Sequence, residues 1–216
     1  MTTGTACRAV VAGPGVRVRR TFAKLGGIVP RRRGLDRSGP RARAGADHDG
    51  GPRRTTPAGG VAVHRNAVAV ARALREAGAE GEVVELAAST RTAGRTAQAL
   101  GCPAGAVASG QVFLADGEPV LVLASGDHRV DVEATAAALG ATELTRPKAP
   151  QVRAATGQPV AGVSPLGHPR RLRTVIDVDL LRYDVVWAAA GTPQAVFPTS
   201  FAELVRLCDA EPVRLT

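Results

Sequence analysis

The side chains of this chain that could do chemistry are few, and none stands at a spacing that names a reaction. His48, His64, His128 and His168 are dispersed, with no H-x-H or H-E-x-x-H pair, so the spacing predicts no metal site. Cys7, Cys102 and Cys208 are scattered without a C-x-x-C. That excludes a disulfide framework or a zinc knuckle and favours a reducing, cytoplasmic setting. Cys102, between Gly101 and Pro103, has no charged neighbour to activate it and reads as a small packing residue. The phosphate-binding, dinucleotide-binding and serine-hydrolase signatures G-x-x-x-x-G-K-[ST], G-x-G-x-x-G and G-x-S-x-G are all missing. Aromatic residues make up 3% of the chain, too few for a base-stacking platform.

What remains is a set of glycine-rich turns carrying isolated polar groups. They are Ser109-Gly110, the run Ser125-Gly126-Asp127-His128-Arg129, the run from Gly162 through Ser164, Pro165 and Gly167 to His168, then Asp177, and Gly191-Thr192. Such turns can present backbone N–H groups and hydroxyls to a ligand without an ionisable nucleophile. Asp127 and Arg129 fit a solvated turn as well as a site. Asp177 falls inside an apolar run, where a carboxylate needs either a ligand or a structural hydrogen bond. Trp187 fits the core.

The elements that must position these groups are readable from period and punctuation. Helices are predicted over 65–77, from a Thr92 cap to Gly101, from an Asp131 cap to Leu139, over 150–156 with Gly157 closing it, and from a Ser200 cap to Leu207. Strands are predicted over 82–86, 106–114, 118–125, 174–178, 184–190 and 194–197, with a last one over 213–215. Asp116-Gly117 between two apolar runs predicts a hairpin, because a tight hairpin turn needs positive φ. The stretch 158–169 is dominated by Pro, Gly and Ser and is expected to be a long, functional loop. The fold class is therefore α+β: a mixed, partly antiparallel β-sheet or barrel flanked by helices.

Charge divides the chain. The 216 residues carry a formal net charge of +9, but 1–60 hold 13 basic residues against 3 acidic, a net of +10. The other 156 residues hold 15 basic against 16 acidic, a net of −1. With 12 glycines, 5 prolines and no apolar period, 1–60 are expected to be a disordered basic leader, and 61–216 the folded domain. A signal peptide needs about 7–15 apolar residues in a row, and Ala9-Val10-Val11-Ala12 is too short. No apolar run is long enough to predict a membrane span.

In order along the chain, STRTAGRTAQALGCPAGAVASGQVFLADGEPVLVLASGDHRVDVEATAAALG (89–140), TGQPVAGVSPLGH (156–168) and TVIDVDLLRYDVVWAAAGTPQAVFPTSFAELVRL (174–207) resemble the YbaK family of aminoacyl-tRNA deacylases. Related domains are associated with bacterial prolyl-tRNA synthetase. The resemblance implies a compact mixed sheet with helices and hydrolysis of the ester that joins a wrong amino acid to tRNA. It implies no cofactor and no metal, with mischarged aminoacyl-tRNA as partner and an aminoacyl-tRNA synthetase as a further one. It places Gly162, Ser164 and Pro165 in the substrate loop and Ser109 at the family's Lys position; with the mid-strand carboxylate of Asp177 these are the expected catalytic set. Asp127, Arg129, Gly167, His168, Gly191 and Thr192 become substrate-binding candidates, and Arg170, Arg171 and Arg173 a local patch for tRNA. Two departures stand out: Ser109 occupies the position where the family's deacylases typically carry Lys, and Ala161 replaces the first Gly of the family's G-x-x-x-P loop. Two rival readings follow: a member that binds aminoacyl-tRNA or an aminoacyl-like ligand without hydrolysis, and an RNA binder acting through its leader.

Overall fold

The computed structural model describes residues 64–215, so the expected basic leader over 1–60 lies outside the described residues. The first helix, α1 (Arg65–Glu76), buries Ala67, Val70 and Leu74, whose spacings of three and four put them on one face. There follow β1 (Val84–Glu85), α2 (Ala93–Leu100), a 3-10 turn over Ala104–Ala106, and the hairpin β2 (Val107–Ala115) and β3 (Glu118–Ser125). Next come α3 (Val132–Leu139), β4 (Leu144–Thr145), α4 (Ala149–Thr156), β5 (Arg173–Asp177) and a 3-10 turn over Val178–Arg182. The chain ends with β6 (Val186–Thr192), β7 (Ala195–Thr199), α5 (Phe201–Cys208) and β8 (Glu211–Val213). The expected caps are in place: Thr92, Asp131 and Ser200 accept from the N–H groups of Arg95, Ala134 and Glu203.

Several elements differ from expectation: β1, expected over 82–86, spans only Val84–Glu85, and β7, expected over 194–197, runs on to Thr199. β4 is two residues long, below the length at which periodicity is visible. The strand expected over 184–190 runs two residues later, because antiparallel pairing with β7 fixes Val186 opposite Thr199. The last strand runs two residues earlier than 213–215: β8 pairs in parallel with β5, Val175 opposite Glu211. Arg173 secures that register by pairing with Glu211 at 3.1 Å and donating to the Leu139 carbonyl at the end of α3. The same hydrogen bond holds the Glu211 carboxyl below its usual range.

The sheet order is β1-β7-β6-β2-β3-β5-β8, with β4 paired to β2. Parallel pairs (β2 with β6, β3 with β5, β5 with β8) are combined with antiparallel ones, so the sheet is mixed as expected. β3 is central. Leu121 and Leu123 face a large core shared with α1, α4 and α5, and Val120, Val122 and Ala124 face a second core under α3. Covering on both faces explains its nearly unbroken apolar run. Trp187 lies in a third cluster with Val107, Val196 and Ala97.

One irregularity matters for function. β3 covers one edge of β2 from Ala108 to Ala115. On the other edge β2 meets β6 only at Val107 and Ala108, and β4 only at Leu114 and Ala115. Between them the sheet is forked, and no strand pairs with that edge over 109–113.

Candidate active site

The loop after α4 is wedged into this fork. A Cβ on Gly110 would lie 2.5 Å from the Val163 carbonyl oxygen. A Cβ on Gly162 would lie 2.5 Å from the Thr192 carbonyl oxygen and closer still to its carbonyl carbon. The loop thus touches β2 on one side and the β6–β7 turn on the other, and glycine on each side makes the approach possible. Gly162 also carries φ +95° in the turn at Ala161–Gly162, a conformation that a side chain disfavours.

Inside the fork is a pocket of roughly 200 Å³. Val107, Ser109 and Gln111 alternate along one wall, Ala189, Ala195 and Val196 form an apolar wall, and the loop residues Val160 to Val163 close a third. The segment from Thr90 to Thr96 supplies the last side. Thr90 donates its N–H (2.7 Å) and hydroxyl (3.0 Å) to the Pro193 carbonyl, and the Thr96 hydroxyl donates to Thr90 Oγ1 at 3.0 Å. Among the described residues, the Ala161 and Gly162 N–H groups have no acceptor within the protein, nor has the Gln111 amide a partner.

Of the residues singled out from the sequence, Ser109, Gly162 and Thr192 meet at this pocket. Gly191 stands behind it, where its carbonyl accepts from Asn66 Nδ2 of α1 at 3.2 Å. Ser164 and Pro165 face away from it. Ser164 is fully buried; its N–H donates to Gln158 Oε1 at 2.7 Å, and its carbonyl accepts from His168 Nε2 at 2.8 Å. Gln158 Nε2 donates to the Leu166 carbonyl, so this half of the loop is an internal brace. Burial holds His168 below the usual histidine range, against the opposing pull of that Ser164 hydrogen bond. Pro165, Gly167, His168, Arg170 and Arg171 border a separate cavity of roughly 270 Å³ beside Cys208. Burial pushes the Cys208 thiol up to about 12, so it stays protonated and inert. Arg173, tied to Glu211 and Leu139, is occupied within the fold.

Asp177 belongs to a third group. Its buried carboxylate accepts from the N–H groups of Ser125 (3.1 Å) and Asp179 (3.1 Å), and from His128 Nδ1 at 2.7 Å. His128 Nε2 lies 3.3 Å from Asp179 Oδ2, and Asp179 in turn pairs with Arg182 at 3.2 Å. Among the described residues, His128, Asp177 and Asp179 are the one set of three potential metal ligands near enough together. Each imidazole nitrogen, however, already faces a different carboxylate, which is the geometry of a hydrogen-bonded clasp. Asp127 and Arg129, exposed on the same turn, flank it.

The pocket therefore has hydroxyls, free backbone N–H groups and an apolar wall, but no ionisable nucleophile. That suits a substrate whose bond is already activated, where orientation and stabilisation of a developing oxyanion suffice. A family model described as an aminoacyl-tRNA editing domain matches residues 87–207, more than half of the chain. The chain belongs to the aminoacyl-tRNA editing domain family. The match spans every residue that lines the pocket, from Thr90 to Val196. Among solved structures, a candidate trans-editing enzyme for prolyl tRNA synthetase is 38% identical, with TM-score 0.68, over 71% of this chain and 98% of its own. A scaffold protein used for computational epitope grafting is 37% identical, with TM-score 0.67 and the same coverage. A hypothetical protein is 25% identical, with TM-score 0.63, over 68% of this chain and 98% of its own. The mixed sheet with flanking helices is thus the YbaK-like fold of this editing-domain family.

Thr90, Arg91, Thr96 and Gln111 also line the pocket, beyond the residues expected from the sequence. Gln111 was within reach: strand period two places it on the face of Ser109. The Thr90–Thr96 wall arrives only through tertiary packing, with no local signal.

Proposed function

We propose that this protein hydrolyses the ester of a mischarged aminoacyl-tRNA, releasing the free amino acid and tRNA with its 3′-terminal hydroxyls. The observation that carries the reading is the forked pocket within the matched editing region, lined both by Ser109 and by Ala161 and Gly162, whose N–H groups have no acceptor among the described residues. Water adds to the ester carbonyl carbon, the carbonyl oxygen becomes an oxyanion, and the turn's N–H groups stabilise it. The acyl C–O bond then breaks, and the ribose oxygen leaves with a proton derived from the water. Ser109 contributes one hydrogen bond to the ester or to the neighbouring ribose hydroxyl. A volume of roughly 200 Å³ with walls of Ala and Val gives room for a small apolar amino acid. The 38% identical neighbour supports tRNA charged by prolyl-tRNA synthetase as the first substrate to try. The reading places the protein where tRNA is charged, in the cytoplasm. Among the described residues no helix is long and apolar enough to cross a membrane.

The test is a panel of mischarged tRNAs incubated with the full chain while ester loss is followed. Turnover is expected on tRNAs carrying small amino acids, and Ser109→Ala should lower kcat about 3–10-fold, the worth of one hydrogen bond. Binding without turnover on every member would replace hydrolysis with a ligand-holding role.

A further inference from the structure

The pocket has one ionisable residue among its described lining, Arg91. Its backbone is held on both sides: Thr90 is bonded twice to Pro193, and the Thr92 hydroxyl accepts from Arg95 N–H at the start of α2. Its side chain is exposed and, among the described residues, has no carboxylate partner. Arg72, Arg173, Arg182 and Arg206 each have one, and of the described arginines without one Arg91 is the one that lines this pocket. A fixed backbone carrying a free guanidinium at the edge of a neutral cavity is an arrangement for an anion supplied by the ligand.

We infer that Arg91 holds a phosphodiester of the substrate's 3′-terminal nucleotides and so fixes which way the ester enters the fork. This rests on the proposed hydrolysis of aminoacyl-tRNA. In such a substrate the amino acid's carboxylate is consumed in the ester and its amine is cationic, so the phosphodiesters are the only anions present. Arg91 therefore reads the nucleotide side. The amino-acid side chain, not its charged amine, is left to the apolar wall of Ala189, Ala195 and Val196. Arg91 is a substrate-positioning residue: it sets the approach of the ester carbonyl to the turn at Gly162.

The experiment compares the full chain with Arg91→Ala, Arg91→Lys and, as a charge control on the exposed face of α4, Arg153→Ala. Substrates are a mischarged tRNA that the wild type hydrolyses and the matching 3′-O-aminoacyl adenosine, which has the ester but no phosphodiester. On tRNA, Arg91→Ala should raise KM about tenfold with a smaller change in kcat. Its salt slope of log(kcat/KM) should fall by about 0.7, the value for one phosphate contact on a single strand. Arg91→Lys should recover part of the loss, since it keeps the charge and loses the fork of donors. The loss caused by Arg91→Ala should be at least threefold larger on tRNA than on aminoacyl adenosine, and Arg153→Ala should keep the wild-type slope. Equal losses on both substrates, or an unchanged KM and slope on tRNA, overturn the assignment. Failure of the wild type on every mischarged tRNA overturns instead the hydrolase reading beneath it.

Discussion

Two polar regions lie on neighbouring strand pairs of the same sheet and use their polar groups in opposite ways. At the clasp, where β3 and β5 end, Asp177, His128, Asp179 and Arg182 satisfy one another and tie down the N–H groups of Ser125 and Asp179. At the fork, where β2 and β6 separate, the N–H groups of Ala161 and Gly162, the Gln111 amide and the Arg91 guanidinium have no partners among the described residues. A buried polar group that is fully bonded holds a fold together, because leaving it unpaired is costly. A group held in place at a cavity and left unpaired is available to a ligand. The long loop contains both kinds: the half from Ser164 to His168 is braced within itself, while the half from Val160 to Val163 faces the pocket.

Gly162→Val is the hardest way to break the fork. The new side chain meets the Thr192 backbone and must also adopt φ +95°. The loop then has to withdraw, and a displacement on the order of 1 Å at a catalytic turn costs about 10²-fold. We expect kcat/KM on mischarged tRNA to fall by about that factor or more, with stability lowered by ~2–4 kcal/mol in a denaturant titration. Near-wild-type turnover would remove this turn from the reaction.

Asp177→Ala breaks the other region. It leaves two backbone N–H groups and one face of His128 without an acceptor, beside a carboxylate site that is only 1% exposed. Removing one partner from a buried charged network costs about 3–5 kcal/mol. Thermal unfolding should show that loss, while kcat of the protein still folded at low temperature stays within about threefold of wild type. A larger fall in kcat without loss of stability would make Asp177 a group of the reaction rather than of the clasp.

This contrast also explains what could be read from the sequence. Helix caps, the Asp-Gly hairpin and the apolar runs are local, and Thr92, Asp131, Ser200 and the β2–β3 turn stand where they were expected. Ser109, Gly162 and Thr192 could be named as candidates because glycine and hydroxyl residues mark turns. Whether a polar residue is spent or free depends on partners far along the chain: Asp177 meets Ser125 and His128, and Arg173 meets Glu211. No local pattern separates Ser164, enclosed by Gln158 and His168, from Ser109, which lines the pocket. Arg91 escaped notice for the same reason, since its wall exists only once Thr90 reaches Pro193.

The smallest expected effect tests the braced half of the loop. Burial favours neutral His168 in the folded protein, while in the unfolded chain the ring titrates near pH 6.5. Below that pH the unfolded chain takes up the proton first, so stability is lost as pH falls from about 6.5 toward the lower folded value, and not above it. The Tm of the wild type should therefore decline across this window more steeply than that of His168→Gln, whose amide can keep a donor on the Ser164 carbonyl without titrating. Parallel declines would mean that the brace tolerates a charged ring. In that case the loop's two halves would differ in what they face but not in how tightly they are held.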